Sequence, residues 1–309
     1  MKAFYRKVVI FIIVFSLLCV GVEYVSIKEP GRTFIAKITD SERYIGKTGP
    51  DEIIPYIEQV RTEDNTTKLI IGDSVCRQMF KGLEDYNNDI SIVGSNGAVT
   101  MAGQYILAEQ YLEHHPDATD IFLLVIPASL DRSFDTKLGY QYTVLPFVKT
   151  DTLKLLDEDT IETMHSVYGK FFMQPQVVNL IERSAINRKI YLNELPKWSE
   201  GYSAGLELSD QYISKIYELC EEHDVQFYMY ACPVSEKRRE GIENNMDKYE
   251  QTKLYEYFPD FFNDLHYFPD EQFGGGSHFV GDYNTQESFN EKIQEMFTGT
   301  RLLQVLNVE

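Results

Sequence analysis

Six consecutive apolar residues, Ile121–Ile126 (IFLLVI), form the segment that most restricts how this chain can fold. The run has the length of a strand, is rich in β-branched and aromatic side chains, and stops at Pro127. A strand with no polar face has to be covered on both sides, as in a parallel sheet between layers of helices. The run therefore predicts an α/β fold.

Three further segments are typical of strands, namely Leu69–Ile71, Ile90–Val93 and Val225–Tyr230. Segments of helical composition separate them, chiefly Met101–His114 and Leu208–Cys220. Strands and helices that alternate at these lengths predict a mainly parallel sheet. A last helix is predicted over 285–297, after a long loop between Phe258 and Tyr283.

The composition excludes two classes of protein. With 309 residues, 43% of them apolar and 13% aromatic, the chain can bury a large core and is not intrinsically disordered. Its formal net charge of −19 argues against a nucleic-acid partner, because phosphates require a basic surface.

The N-terminus has the layout of a signal anchor. Lys2, Arg6 and Lys7 precede an almost unbroken apolar stretch, and no small-x-small cleavage site follows it. Residues 8–27 approach the roughly 20 residues that a bilayer requires. We expect residues 1–7 to be cytoplasmic and the rest of the chain extracytoplasmic, because the positive flank lies on the N-terminal side.

The rest of the chain divides by composition. Residues 28–66 read as a connector that ends in a short helix, Asp51–Val60, and residues 67–300 as the α/β domain, followed by a tail at 301–309. Within the domain, about 150–198 is aromatic and helix-rich. This segment is either an inserted lid or simply long crossover helices.

The turn Gly72-Asp73-Ser74 is the strongest functional candidate. It follows the first strand and precedes residues of helical composition, so Ser74 is predicted at the carboxyl end of a strand and the amino end of a helix. Open α/β sheets bind their ligands at that edge. Ser74 is thus placed as a nucleophile, although an ordinary turn with a capping Asp or Ser would look the same.

Two other loops fall at the same edge of a parallel sheet, Gly94–Gly97 and Pro127–Ser129. A serine nucleophile requires donors for the oxyanion that forms during attack. The backbone N–H groups of Ser74 and Gly97 are the candidates, and the Asn96 side chain is a third.

The base that activates a serine is usually a histidine, and the chain has six. His278 is the candidate, because it follows three glycines and precedes the last predicted helix. The composition around the others, except for His266 in the same loop, predicts surface positions: His114, His115, His165 and His223.

The cysteines indicate neither a metal site nor a disulfide framework. Cys19 lies in the apolar N-terminal stretch, which leaves Cys76, Cys220 and Cys232, an odd number without metal-type spacing. We expect buried thiols. A Cys76–Cys232 disulfide is the alternative, since both residues follow predicted strands. No cofactor is indicated.

The order of Gly72-Asp73-Ser74, the Gly97 loop and a late His278 resembles the SGNH/GDSL hydrolase superfamily over roughly residues 67–300. The resemblance is greatest to membrane-anchored members that accompany membrane-bound O-acyltransferases in cell-surface polysaccharide and teichoic acid modification. It implies a flavodoxin-like three-layer α/β/α fold. It also implies a nucleophile at Ser74, an oxyanion donor at Gly97 and a base at His278. The activity implied is that of an esterase or acyltransferase on an acylated glycan or cell-surface polymer.

The chain departs from the family pattern at two positions. Gly275 stands where members carry an Asp that orients the histidine, and Pro127–Ser129 replaces a block that usually supplies an Asn. Asp270, Glu271 and Asp282 are the candidates for the orienting acid. The alternative is a catalytically degenerate relative that binds or assembles with a membrane O-acyltransferase.

Overall fold

The computed structural model describes most, but not all, of the chain. It covers residues 2–28, 30, 31, 33, 34, 53–80, 89–95, 97, 98, 100–134, 139, 142, 145–150, 152–171, 173–178, 184, 186, 202–274, 277–280 and 287–306. These residues belong to two compact units, Met1–Gly49 with Phe147–Pro196, and Pro50–Pro146 with Lys197–Glu309.

A four-stranded parallel sheet forms the centre of the second unit. Its strands are β1 (Lys68–Gly72), β2 (Ile90–Gly94), β3 (Asp120–Val125) and β4 (Gln226–Ala231). They lie in the order β2-β1-β3-β4, and all three pairings are parallel. The four predicted strands and the α/β fold with a mainly parallel sheet are confirmed.

The helices of the described residues range in length from 4 to 26 residues. They are α1 (Lys2–Ile27), α2 (Ile53–Val60), α3 (Ser74–Met79), α4 (Met101–His114), α5 (Leu145–Thr150), α6 (Glu158–Tyr168), α7 (Tyr202–Glu222), α8 (Arg239–Glu243), α9 (Met246–Tyr249), α10 (Lys253–Tyr257), α11 (Pro259–Asn263), α12 (Glu287–Met296) and α13 (Arg301–Leu306).

Helices cover both faces of the sheet. Side chains alternate between the faces of a strand, so Ile70 and Phe122 point one way and their neighbours the other. The first face packs against residues of α3 and α13, including Val75 and Leu302. On the opposite side, α4 packs on β1, and α2 and α7 pack on α4. This double coverage explains why every residue of β3 is buried.

The C-terminal part holds more regular structure than its sequence predicts. Residues 258–283, predicted as one long loop, include α11 and the strand β6 (Tyr267–Phe268). β6 pairs in parallel with β5 (Val234–Ser235) in a second, two-stranded sheet. The prediction of a continuous loop was wrong, because two-residue strands carry too little periodicity to be seen in a sequence.

Residues 301–309, predicted as a tail, also belong in part to the packed core. Leu302 and Val305 of α13 are buried against the sheet. Arg301 donates two hydrogen bonds to the Asp120 carboxylate, at 2.9 and 3.0 Å. The compact domain therefore extends to Leu306.

In the first unit, α1 is long and apolar enough to cross a membrane. Its segment Phe4–Ile27 contains an 18-residue window that has a mean hydropathy of 2.7 and no buried residue. A signal sequence near the N-terminus meets the same criteria, and the anchor stays a prediction. The predicted excursion at 150–198 falls largely in the same unit, with α6 as its longest described helix. Its role as a lid stays a prediction.

Gly72 at the end of β1 offers a test of how tightly the sheet edge is packed. A Cβ at this position would lie 2.1 Å from the carbonyl oxygen of Leu124 on β3. We expect Gly72→Ala to lower the free energy of unfolding by about 3 kcal/mol, because backbone atoms cannot move aside as a side chain can. Urea-induced unfolding of the detergent-solubilised full chain measures the change.

Gly241→Ala is the matched control. A Cβ at Gly241, inside α8, has no atom within 4 Å. Alanine favours a helix by about 0.5–1 kcal/mol relative to glycine, so this variant should be unchanged or slightly more stable. Equal destabilisation by the two substitutions would contradict the packing described at Gly72.

Candidate active site

Ser74 lies where the sequence predicts a nucleophile. It is the first residue of α3, directly after β1, and only 7% of its surface is exposed. The strand order reverses at β1, since β2 lies on one side of it and β3 on the other. Ligands of open α/β sheets bind outside the carboxyl ends of the strands at such a reversal.

The Asp73 carboxylate holds this turn in place. Its Oδ1 accepts hydrogen bonds from the backbone N–H groups of Val75 (2.8 Å) and Cys76 (3.3 Å), which caps α3. Its Oδ2 accepts from the Ile126 N–H at 2.9 Å and from the Ser129 hydroxyl at 2.6 Å, both beyond β3. Asp73 therefore acts as the helix cap that the sequence allowed, and it also ties the two central loops together.

His278 contacts the serine, although the two residues are 204 positions apart. Its Nε2 lies 2.6 Å from Ser74 Oγ, within the range of a short hydrogen bond. This is the pairing that a serine nucleophile needs, with a base in reach of its hydroxyl proton. The structure thus brings the two predicted catalytic residues together.

Gln78, which the sequence reasoning missed, fixes the histidine segment. Its side-chain amide donates to the Phe279 carbonyl at 3.3 Å and accepts from the Phe279 N–H at 2.9 Å. Ser74 and Gln78 are four residues apart in α3 and so share one face of the helix. A single helix therefore presents the nucleophile and holds the backbone beside its base. The i, i+4 spacing from Ser74 was the signal available in the sequence.

Partial burial of the imidazole lowers the pKa of His278 below its usual value. Asp73 opposes this effect, and the positive charges of Arg132 and Arg77 add to it. The lowered pKa favours the neutral ring, which is the form that can accept a proton from Ser74. Arg132, like Gln78, was not identified from the sequence.

Of the three predicted oxyanion donors, the structure leaves one directly available. The Ser74 N–H donates to no acceptor among the described residues. The Gly97 N–H instead donates to Ser95 Oγ at 2.7 Å, so in this conformation it is occupied. Asn96 lies outside the described residues. Ser129 is also occupied, by Asp73.

No carboxylate in the described part of the chain hydrogen-bonds His278. Asp270 instead accepts from the Ser235 hydroxyl and, at 3.0 Å, from the Lys237 N–H, and these bonds lower its pKa. Glu271 is exposed. Asp282, like Gly275, lies outside the described residues. Whether Asp282 orients the histidine stays a prediction.

The prediction for a different histidine, His115, was wrong. His115, predicted at the surface, is buried. Its ring stacks on Tyr111 with centroids 4.0 Å apart, and its Nε2 lies 3.1 Å from the Asp64 carboxylate. The side chain of a histidine at a helix end can fold back over the preceding turn. The composition of the surrounding sequence does not reveal this.

The described cysteine thiols take no part in this site, and the described residues hold no candidate metal site. Cys76, Cys220 and Cys232 are free and buried, as expected, and burial raises the pKa of each thiol. Within the described ranges, no group of three His, Cys, Asp or Glu side chains is placed to hold a metal ion.

No family model matches the chain, and no curated protein or solved structure matches it either. The geometry around Ser74 is therefore the basis for any functional argument.

Gln78 provides a test of how the site is held together. We expect Gln78→Ala to slow the reaction of Ser74 with a fluorophosphonate probe about a hundredfold, because displacement of a reacting group by 1 Å is enough for such a loss. Stability should fall by only about 1 kcal/mol, the usual contribution of hydrogen bonds of this kind. Labelling rates and unfolding curves of the same preparations provide both numbers.

Gln251→Ala is the matched control, since Gln251 is exposed and hydrogen-bonds only within its own segment, to Asp247. It should label at the wild-type rate. A Gln78→Ala protein that labels equally fast would show that Gln78 does not position the base.

Proposed function

We propose that this chain is a membrane-anchored, extracytoplasmic serine esterase or O-acyltransferase of the SGNH/GDSL type. The observation that carries the proposal is the 2.6 Å contact between Ser74 Oγ and His278 Nε2 at the carboxyl edge of the sheet. A buried serine at a helix start, paired with an imidazole whose pKa is lowered, has the parts of an activated nucleophile.

The strand order supports the finer assignment of the fold. The order β2-β1-β3-β4 corresponds to the first four strands of the flavodoxin-like order 2-1-3-4-5. Helices on both faces agree with a three-layer α/β/α arrangement. Such a fold hosts many activities, so the argument for this one rests on the site.

The proposed reaction begins with attack of Ser74 Oγ on the carbonyl carbon of an acyl ester. His278 Nε2 takes the hydroxyl proton, which requires the ring proton to be on Nδ1. The Ser74 N–H stabilises the oxyanion. When the intermediate collapses, the C–O bond to the alcohol breaks, and His278 returns the proton to the departing oxygen. The acyl group is then bound to Ser74 as an ester.

A second half-reaction releases the acyl group. His278 removes a proton from water or from a glycan hydroxyl, whose oxygen attacks the carbonyl carbon of the acyl-serine. The bond between that carbon and Ser74 Oγ then breaks, and His278 returns the proton to Ser74 Oγ. Water as the attacking group makes the protein an esterase, and a glycan hydroxyl makes it an acyltransferase. All the reacting groups come from the chain and its substrates, so the proposal includes no cofactor.

The N-terminal helix supports a proposal for the location of the chain. We infer that residues 8–27 anchor the chain in the bilayer, with Lys2, Arg6 and Lys7 on the cytoplasmic side. The site would then face the cell exterior, where an acylated glycan or cell-surface polymer is the accessible ester. A membrane-bound O-acyltransferase is the proposed partner that supplies acyl groups.

A second candidate function is that of a non-catalytic partner of such an acyltransferase. Two observations favour it: the Gly97 N–H is directed to Ser95, and no carboxylate among the described residues hydrogen-bonds His278. Loss of the orienting acid from a serine triad slows catalysis by about four orders of magnitude. The direct Ser74–His278 contact favours the enzyme.

The first test is covalent labelling. The detergent-solubilised wild-type chain should react with a fluorophosphonate probe and hydrolyse p-nitrophenyl acetate, and Ser74→Ala should lose both. His278→Ala should be slower by at least about a thousandfold, because the base acts as a unit with the nucleophile. Ser166→Ala, a change of an exposed serine in α6, should match the wild type. A folded wild type that gives neither signal would favour the non-catalytic role.

The pH profile is the second test. Since neutral His278 is the active base and its pKa is lowered, kcat/KM should fall on acidification only below the ordinary histidine pKa of about 6.5. Arg77→Gln removes a positive charge that lowers this pKa, so the acid limb should move to higher pH. Lys253→Gln, which removes the same charge from an exposed position, should leave it in place. An unmoved limb in Arg77→Gln would contradict the assignment of His278 as the base.

A further inference from the structure

A cavity of about 370 Å³ opens beside the proposed catalytic pair. Its wall includes Ser277, the neighbour of His278, and also Ile126 and Ala128 from the loop after β3. Ile126 also donates its N–H to Asp73, next to the nucleophile. The cavity therefore borders the segment that holds His278 and the loop that is hydrogen-bonded to Asp73 beside Ser74. Its volume is within the range of small-molecule sites.

Three cationic residues are among those that line this cavity: Lys237, Arg238 and Lys248. Asp131 is the carboxyl group among its lining residues. The chain as a whole has a formal net charge of −19, so a wall with an excess of cations is opposite in sign to the rest of the protein. Such local charge attracts an anion and repels a cation.

The three cations are compensated to different degrees. The Asp270 carboxylate accepts the Lys237 N–H and is stabilised by the Lys237 charge. The positive charge of Lys248 likewise acts on Asp131. Arg238 forms no hydrogen bond or ion pair with a carboxylate in the described part of the chain. It is therefore the cation of this wall most available to a ligand.

The contrast with the next residue supports this reading. Arg239 donates to both oxygens of Glu236, at 2.6 and 2.9 Å, and lies 3.8 Å from Glu243. Its charge is compensated within its own turn. Arg238 is among the residues that line the cavity, and its planar guanidinium suits phosphate and carboxylate oxygens.

Asp131 offsets the positive charge of the cavity wall less than an exposed carboxylate would. Burial raises its pKa to about 6, and Tyr249 and Lys248 act in the other direction. The Tyr249 hydroxyl donates to Asp131 Oδ2 at 3.3 Å. In its charged form this carboxylate repels an anion in the cavity, so its removal should strengthen anion binding.

We propose, on the basis of the proposed function, that this cavity binds an anionic group of the substrate. The ester or acceptor then carries a phosphate or a carboxylate close to the reacting oxygen, with Arg238 as its principal ligand. The site would act on a negatively charged glycan or polymer in preference to a neutral one.

The test measures binding on the full-length Ser74→Ala chain in detergent, so that its result does not depend on turnover. Calorimetric titrations compare glycerol 1-phosphate with glycerol, and glucuronate with glucose. At least one anion should bind while both neutral partners do not. If glycerol 1-phosphate alone binds, the ligand group is a phosphate. If glucuronate alone binds, it is a carboxylate. Binding of both anions would assign a general anion subsite.

Three variants in the same Ser74→Ala background connect binding to the cavity. Arg238→Gln should lower the affinity for the anion about tenfold, the usual loss for one charge-assisted contact. Asp131→Asn should tighten it several-fold. Lys253→Gln, a matched loss of one positive charge outside the cavity, should have no effect. Equal affinity for charged and neutral ligands, or equal effects of Arg238→Gln and Lys253→Gln, would overturn the proposal.

The failure of this proposal and that of the proposed function are distinguishable. Fluorophosphonate labelling of wild-type Ser74 reports on the nucleophile alone, and the titrations report on the cavity alone. A protein that labels but binds no anion retains the esterase assignment and loses the anion subsite. A protein that binds the anion through Arg238 but does not label would have an anion site without the proposed chemistry.

Discussion

The Asp73 carboxylate is the interaction on which the proposed site depends. It accepts four hydrogen bonds, two from the start of α3 and two from the loop after β3. A buried carboxylate is stable only when its oxygens are satisfied in this way. These bonds fix the serine turn relative to the neighbouring strand, so the position of Ser74 is set by the sheet and not by a flexible loop.

Around this fixed point, each remaining part of the site is held by a separate contact. Gln78 binds the backbone of Phe279 and so places His278 over the serine. Gly72 lets β1 and β3 approach closely at the edge where the reaction is proposed. The arrangement follows a general principle: reacting groups are effective when rigid elements position them and neighbouring hydrogen bonds hold them. The cavity proposed to bind an anion borders the segment that holds His278.

Local patterns made much of the fold predictable. The apolar run at Ile121–Ile126 specified a strand covered on both faces. The other three strands were predicted from the segments Leu69–Ile71, Ile90–Val93 and Val225–Tyr230. The helix at Met101–His114 was predicted with its observed bounds. The features that were not predicted are short or depend on their surroundings, such as the pairing of β5 with β6 and the burial of His115. These depend on partners that are distant in sequence.

The sequence by itself determined the parallel α/β sheet, the long apolar N-terminal helix, and the placement of a serine between a strand and a helix. These features depend on periodicity and on residues adjacent in the chain, which a sequence states directly. Only the tertiary structure decided that His278 contacts Ser74, that Gln78 holds the neighbouring backbone and that the Gly97 N–H is directed to Ser95. The physical reason is that a hydrogen bond depends on distances of a few tenths of an ångström, and such distances exist only after the whole domain has packed.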